Sequence, residues 1–420
     1  MEGMTEPDHT RSALGGSSPE GSGVERDLRL ILAIQAARAF LYGFGSVLIG
    51  SSLAAGGLSD AEVGLVFTAM LAGMAVVSIG VGVVGDRVGR RRMYSVLLGV
   101  MGVAGAVFAM TRWLPALIVA AMSGTLSTDP NESGPITSME QAMIGQAPAL
   151  ARVRVFGRYN AIAYLFGALG SLAAGGPAAF RHLIPSLPSS QRFLLVFPAV
   201  AAGCVVLAGR LSGSVEPEAA SDEAGRRSRP LNRSRRTVAK LSALFAMDAG
   251  AGGFVVQAFL AFWFQRKFGA GPAVMGLVLF GAGLLQAGSS ILAARLAGRI
   301  GLLNTMVFTH LPSNVLLAAI AFAPNLGVSI GLLLARFALS QMDVPARQAY
   351  VMALVDPQER TAAAAYTNTA RYVVRPVGAA GAGVLMQHVS IGAPFVAAGG
   401  LKILYDLALF GVFRRVPEPD

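Results

Sequence analysis

Long apolar stretches, parted by short charged or turn-forming segments, run the length of the chain. A helix needs about 20 apolar residues to cross a bilayer core. Twelve windows of that kind can be placed, near 28–51, 60–84, 91–110, 114–145, 156–175, 193–211, 239–263, 273–296, 303–323, 327–354, 362–386 and 393–413. The pattern predicts an all-α membrane protein with twelve transmembrane helices. Residues 1–27, rich in Gly, Ser and acidic side chains, lack the apolar core of a signal peptide and are expected to form a disordered cytoplasmic tail. Residues 416–420 read as a second short tail.

Composition agrees with the pattern. The chain is 54% hydrophobic and 14% charged, where soluble proteins carry roughly a quarter charged residues. A net charge of +11 would suit a nucleic-acid partner, but its placement argues for a lipid bilayer instead. Lys and Arg gather in the tail, in alternate loops and in the segment 212–236, whereas the other loops hold only Arg112, Arg181, Arg192, Arg266 and Lys267. This asymmetry puts both termini and that segment in the cytoplasm and makes the chain a multi-pass protein of the cell (plasma or inner) membrane. Cysteines introduced at Ser221 and Ser189 are therefore expected to react with an impermeant thiol reagent from opposite sides. Reaction from one side would contradict the map. The single cysteine, Cys204, lies inside the sixth span and reads as a packing residue, so no intramolecular disulfide forms.

The chain repeats itself. Shifted by 212 residues, "GLSDAEVGLVF" falls over "GAGPAVMGLVL" and "DRVG" (86–89) over "GRIG" (298–301), pairing Gly64 with Gly276, Ser78 with Ser290, Arg87 with Arg299 and Gly89 with Gly301. With small gaps the relation reaches Pro135 over Pro345 and Asn160 over Asn368. Two related bundles of six helices, 28–211 and 239–415, thus flank a hydrophilic cytoplasmic linker, 212–238. That is the plan of a secondary transporter.

The loop "GVVGDRVGRRR" (82–92) between spans two and three resembles the signature loop of the major facilitator superfamily, with Gly82, Asp86, Arg87, Gly89, Arg90 and Arg91 in matching places. The resemblance extends from about 28 to 415. It implies a fold of two pseudo-symmetric six-helix bundles, a cavity lined by spans one, four, seven and ten, and a conformational latch formed by those six loop residues. A glycine turn brings two helices close, and Asp86 at a helix end can pair with an arginine or with a helix N-terminus. The second copy has Gly298 where Asp86 would fall, so only the first half carries a full latch. "GVGVVG" (80–85) matches the GxGxxG nucleotide fingerprint, but within a transmembrane helix it reads as small-residue packing.

Ionisable residues at bilayer depth cost about 2.5–3.5 kcal/mol on insertion scales and mark functional candidates. Arg38 lies near the middle of span one, and Arg371 and Arg375 share one face of span eleven. Span ten carries the stripe Arg336, Ser340, Asp343 and Arg347. Span four carries Thr125, Asp129, Glu132 and Glu140 around "TDPNESGP" (128–135), where two prolines break the helix ladder. Asp248 adds a carboxylate to span seven. Arg38, Arg371 and Arg375 are expected to form one cationic patch balanced by Glu132, Asp248 or Asp343. Lys402 and Asp406, four apart in span twelve, read as a structural pair. The sequon "NES" (131–133), inside a span, reads as chance.

No GxxxxGK[ST], HExxH or GxSxG stretch is present, so neither an enzyme nor a cofactor or metal site is expected. The function indicated is secondary transport of a small solute by alternating access, coupled to protons through the carboxylates, with an anionic solute suited to the arginines. A monomer is expected. The alternatives are a proton-coupled drug or metabolite efflux antiporter, from whose pattern "GGPAAF" (175–180) departs, and a non-transporting receptor or scaffold of the same fold.

Overall fold

The computed structural model describes residues 19–127, 134–144, 149–180, 184, 186, 189–216, 233–355 and 359–415, and among them there are helices and no strands. The first half consists of α1 (Pro19–Ala55), α2 (Asp60–Val88), α3 (Arg90–Met110), α4 (Leu114–Met122), α5 (Pro135–Ile144), α6 (Ala149–Ala174), the short α7 (Gly176–Phe180) and α8 (Val196–Gly209). The second half consists of α9 (Arg235–Gly253), α10 (Gln257–Phe268), α11 (Pro272–Ile300), α12 (Leu302–Ile320), α13 (Leu326–Ser340), α14 (Asp343–Leu354), α15 (Arg360–His388) and α16 (Ala393–Phe413). Nine stretches among the described residues are long and apolar enough to cross a membrane. They fall on the expected spans except four, five and eleven. Span four is split into α4 and α5, and span eleven is thinned by its two arginines.

Local chemistry sets most of the ends. Ser59 and Glu62 form a reciprocal capping box at the start of α2, which satisfies two backbone donors that a helix start leaves open. Gly89 closes α2 at φ 95° and Gly301 closes α11 at φ 86°, a left-handed conformation at matching points of the two halves.

Two boundaries, in spans one and seven, differ from the sequence reading, and a third, in span ten, falls at the bend that Pro345 indicates. Helix α1 begins at Pro19 rather than 28, and Asp27, 3% exposed, accepts hydrogen bonds from Ser212 N at 3.0 Å and Ser214 Oγ at 2.9 Å. The acidic segment before span one is therefore helical from Pro19, and Asp27 ties its last residue to the far end of the first half. Residues 1–18 lie outside the described residues. Span seven, read as continuous, breaks between Gly253 and Gln257. The run "GAGG" (250–253) presses so closely on α15 that a Cβ at Gly253 would overlap Arg375 O. Span ten breaks between α13 and α14, at Gln341 and Met342, just before Pro345.

The repeat is visible in the packing. A side chain at Gly43 would overlap Gly167 O, as one at Gly253 would overlap Arg375 O. Gly43 and Gly253 differ by 210 positions, Gly167 and Arg375 by 208, so the same crossing is built twice.

The halves meet at the end remote from the linker. There Gly50 abuts Ala258 O, Gly276 abuts Ser171 O, and Gly64 faces Gly383 so closely that a Cβ at Gly64 would lie 2.5 Å from Gly383 Cα. Gln257 Nε2 donates to Ser46 Oγ at 2.8 Å across the same seam. At the linker end the observed bonds run within each half. Glu216 accepts from Arg90 N at 2.7 Å and Arg91 N at 3.2 Å at the start of α3, and Glu359 accepts from Arg233 N at 3.1 Å and Ser234 N at 2.9 Å ahead of α9. A carboxylate at a helix N-terminus meets both its unpaired N–H groups and its partial positive charge.

Candidate functional site

The membrane charges sort into two groups. In the first half Arg38 of α1, 2% exposed, is gripped by Glu140 of α5, 0% exposed. Arg38 Nη2 donates to Glu140 Oε2 at 2.6 Å and Nε to Oε1 at 3.3 Å. Tyr94 of α3 donates to Glu140 Oε1 at 2.7 Å, and Tyr159 of α6 donates to Oε2. Arg38 also reaches Tyr159 Oη at 3.1 Å and Gln35, and lies over the ring of Tyr42 at 5.1 Å. Four spans thus supply a closed, dry knot in which both charges are compensated.

The second half builds an opening instead. A cavity of about 350 Å³ lies among α9 to α16, with Tyr164 of α6 as its described contribution from the first half. Tyr164 donates to Gln341 Oε1 at 3.4 Å, across the two halves. The charges centre on Asp248 of α9, 3% exposed. Lys402 Nζ of α16 donates to its Oδ1, while Arg347 of α14 and Arg371 of α15 each place Nη1 3.4 Å from its Oδ2. Arg347 also donates to Asp343 Oδ2 at 3.0 Å, one turn back on α14.

Arg336 and Arg375 line the same cavity. Among the described residues its wall therefore carries five basic side chains, Arg336, Arg347, Arg371, Arg375 and Lys402, against two carboxylates, Asp248 and Asp343. That leaves a formal excess of three positive charges, 5 − 2, with His310 left out of the count. A low-dielectric enclosure strengthens the attraction of such a wall for an anion. Gln257, Gln286, Gln341, Gln348 and Asn368 add amide donors and acceptors around it.

The candidates from the sequence are divided by this geometry. Asp248, Arg336, Asp343, Arg347, Arg371 and Arg375 meet at the cavity. Arg38 and Glu140 do not, so the three-arginine patch does not form: Arg38 is enclosed by Glu140 and two tyrosines instead. Asp129 and Glu132 lie outside the described residues. In the loop of span two, Gly89 takes its left-handed turn, Arg90 Nη1 donates to Ala142 O at 3.3 Å and Arg91 Nη1 to Leu211 O at 3.0 Å. The side chains of Asp86 and Arg87, and the surroundings of Gly82, lie outside what the structure describes.

Lys402 and Asp406 do not pair with each other. Lys402 turns to Asp248, whereas Asp406, 0% exposed, takes His310 Nδ1 at 2.8 Å and Asn314 Nδ2 at 2.9 Å from α12. His310 and Gln257 were not singled out by the sequence reading. The available signal was the polar stripe Thr309, His310, Ser313 and Asn314 in an otherwise apolar span.

Comparison with known proteins follows the same lines. A sequence model described as Major Facilitator Superfamily matches residues 241–420. The uncharacterized membrane protein YJR124C of Saccharomyces cerevisiae is 26% identical over 93% of this chain and 95% of its own length. The crystal structure of a mutant of the nucleoside transporter NupG superposes with a TM-score of 0.73 at 13% identity, covering 92% of this chain and 100% of that one. A bacterial homolog of the human lysosomal transporter Spinster, solved inward-facing and occupied, gives 0.70 at 16% identity over 95% and 98%. Residues 241–420 thus match the major facilitator superfamily in sequence, and the described chain shares the fold of these two transporter structures.

Proposed function

We propose that the chain is a secondary transporter for a small, hydroxylated anionic solute, which binds in the cavity around Asp248 and crosses the membrane by alternating access. The observation that carries this reading is the cavity wall, where cations outnumber carboxylates and amide side chains stand between them. Arginine forks pair well with carboxylate or phosphate groups, and amides suit hydroxyls. Asp248 is the counter-ion of Lys402, Arg347 and Arg371. An entering anion competes for those cations, and a proton taken up from water compensates the carboxylate they leave. Proton and anion then move together.

The seam fits the same account. Small residues let the halves close at the end remote from the linker, which the distribution of Lys and Arg makes the external end. A scaffold without transport would have no use for a cavity of partly compensated charges.

The test is uptake of glucuronate, gluconate and glucose 6-phosphate by proteoliposomes, with and without acid outside. Uptake of at least one, above protein-free liposomes and faster with acid outside, is expected. Indifference to all three would count against the reading.

A further inference from the structure

His310 lies where the cavity wall meets a buried carboxylate that the cavity does not reach. Its Nδ1 is 2.8 Å from Asp406 Oδ1, and its Nε2 is 3.9 Å from Asp248 Oδ1. Asp406 is 0% exposed and is fixed from its other oxygen by Asn314 Nδ2 at 2.9 Å. The imidazole itself lines the cavity. One ring nitrogen thus faces a carboxylate sealed in protein, and the other faces the carboxylate at the centre of the cationic cluster.

The charged and titratable groups nearest the ring come from α9 and α16, with those of α14 and α15 beyond Asp248. Asp248 is on α9. Asp406, Lys402 and Tyr405 are on α16, the last with its ring edge-on at a centroid distance of 5.9 Å. Asn314 shares α12 with His310. Lys402 holds the same Asp248 oxygen that Nε2 approaches and opposes a charge on the ring, while Arg347 and Arg371 hold the other oxygen.

We infer that His310 carries the coupled proton and that Asp406 is the positioning residue that holds its ring. This rests on the proposed anion transport and adds the group that takes the proton. When the solute anion draws Arg347 and Arg371 away from Asp248, a proton from cavity water bonds to Nε2. Nδ1–H remains donated to Asp406. The imidazolium then stands beside Asp248 in place of the two guanidinium groups, and its charge offsets that of a monovalent solute. After reorientation the solute leaves, the guanidinium groups return to Asp248, and the proton passes from Nε2 to water on the other side. Uptake breaks one O–H bond of a hydronium ion and makes the Nε2–H bond, leaving water, and release is the reverse.

The experiment uses full-length protein in proteoliposomes holding the pH dye pyranine, with glucuronate, gluconate and glucose 6-phosphate tried in turn. Exchange of labelled anion at equal concentrations needs no net proton flow, whereas net uptake should acidify the lumen. In His310→Gln the ratio of acidification to exchange is expected to fall at least tenfold. Asp406→Asn, which leaves the cavity wall intact, is expected to move half-maximal uptake to lower external pH, because an imidazolium loses its buried counter-charge. A merely structural pair would lower the yield of folded protein without changing either the ratio or the pH profile. An unchanged ratio in His310→Gln, or an unmoved profile in folded Asp406→Asn, would overturn the inference. Failure of the wild-type protein to exchange any of the three anions would instead overturn the anion-transport reading, and this assignment with it.

Discussion

Arg371→Gln is expected to weaken binding of the proposed anionic solute by tenfold to a hundredfold while leaving the protein folded in detergent. The reason is its position. Arg371 is the most exposed of the cations on Asp248, with a quarter of its side chain open (25%) and Nη1 only 3.4 Å from Oδ2. It can turn to a solute at small cost. Removing it still leaves Asp248 with Lys402 and Arg347, so the buried carboxylate keeps its compensation and the fold its stability. The loss in affinity corresponds to about 1.4–2.8 kcal/mol. Arg375→Gln is expected to act in the same direction. Arg347→Gln should behave differently, since Arg347 joins Asp343 to Asp248 within the structure. Its loss should lower the melting temperature as well as the affinity. Isothermal titration with glucuronate, gluconate and glucose 6-phosphate, beside thermal unfolding of each variant, separates the two outcomes. Unchanged affinity in Arg371→Gln would remove it from the site.

Glu140→Gln should cost the first half about 3–5 kcal/mol, the range found when one member of a buried ion pair is removed. Glu140 receives Arg38, Tyr94 and Tyr159 from three other spans, and a neutral amide leaves the guanidinium of Arg38 uncompensated in a site of 2% exposure. Replacing both partners, Arg38→Leu with Glu140→Leu, should recover most of the loss, because no buried charge then remains. Cys204, buried at 2% and the only cysteine, is a native reporter of unfolding. The midpoint of its reaction with a thiol reagent on heating should fall sharply in Glu140→Gln and much less in the double variant. Equal midpoints in all three would show that the knot contributes little.

These two groups show what the sequence could and could not tell. The spans were legible because the bilayer imposes a length and a polarity on each, and α16 falls on the expected 393–413 residue for residue. The internal repeat was legible because glycines at helix crossings and turns recur at nearly constant offsets. Which charge meets which was not. Arg38 and Glu140 stand 102 positions apart, and Lys402 and Asp248 stand 154 apart. Spacing along one helix even misled: Lys402 and Asp406 are four apart, yet each has a stronger partner on another helix. His310 was passed over because a single histidine in an apolar span carries no motif, and its meaning comes from Asp406 and Asp248 on two other helices. The break in span seven had a local signal, four residues of Gly and Ala, but hydropathy averages over such a run.

The most direct test of the cationic cavity as an anion site compares solutes that differ in charge alone. Exchange in proteoliposomes would be measured for glucuronate against glucose, gluconate against sorbitol, and glucose 6-phosphate against glucose. The account predicts that at least one anion exchanges and that its neutral counterpart exchanges at least tenfold more slowly, with Arg371→Gln narrowing the difference. Neutral solutes exchanging as fast as their anions, with the difference unaffected by Arg371→Gln, would contradict it.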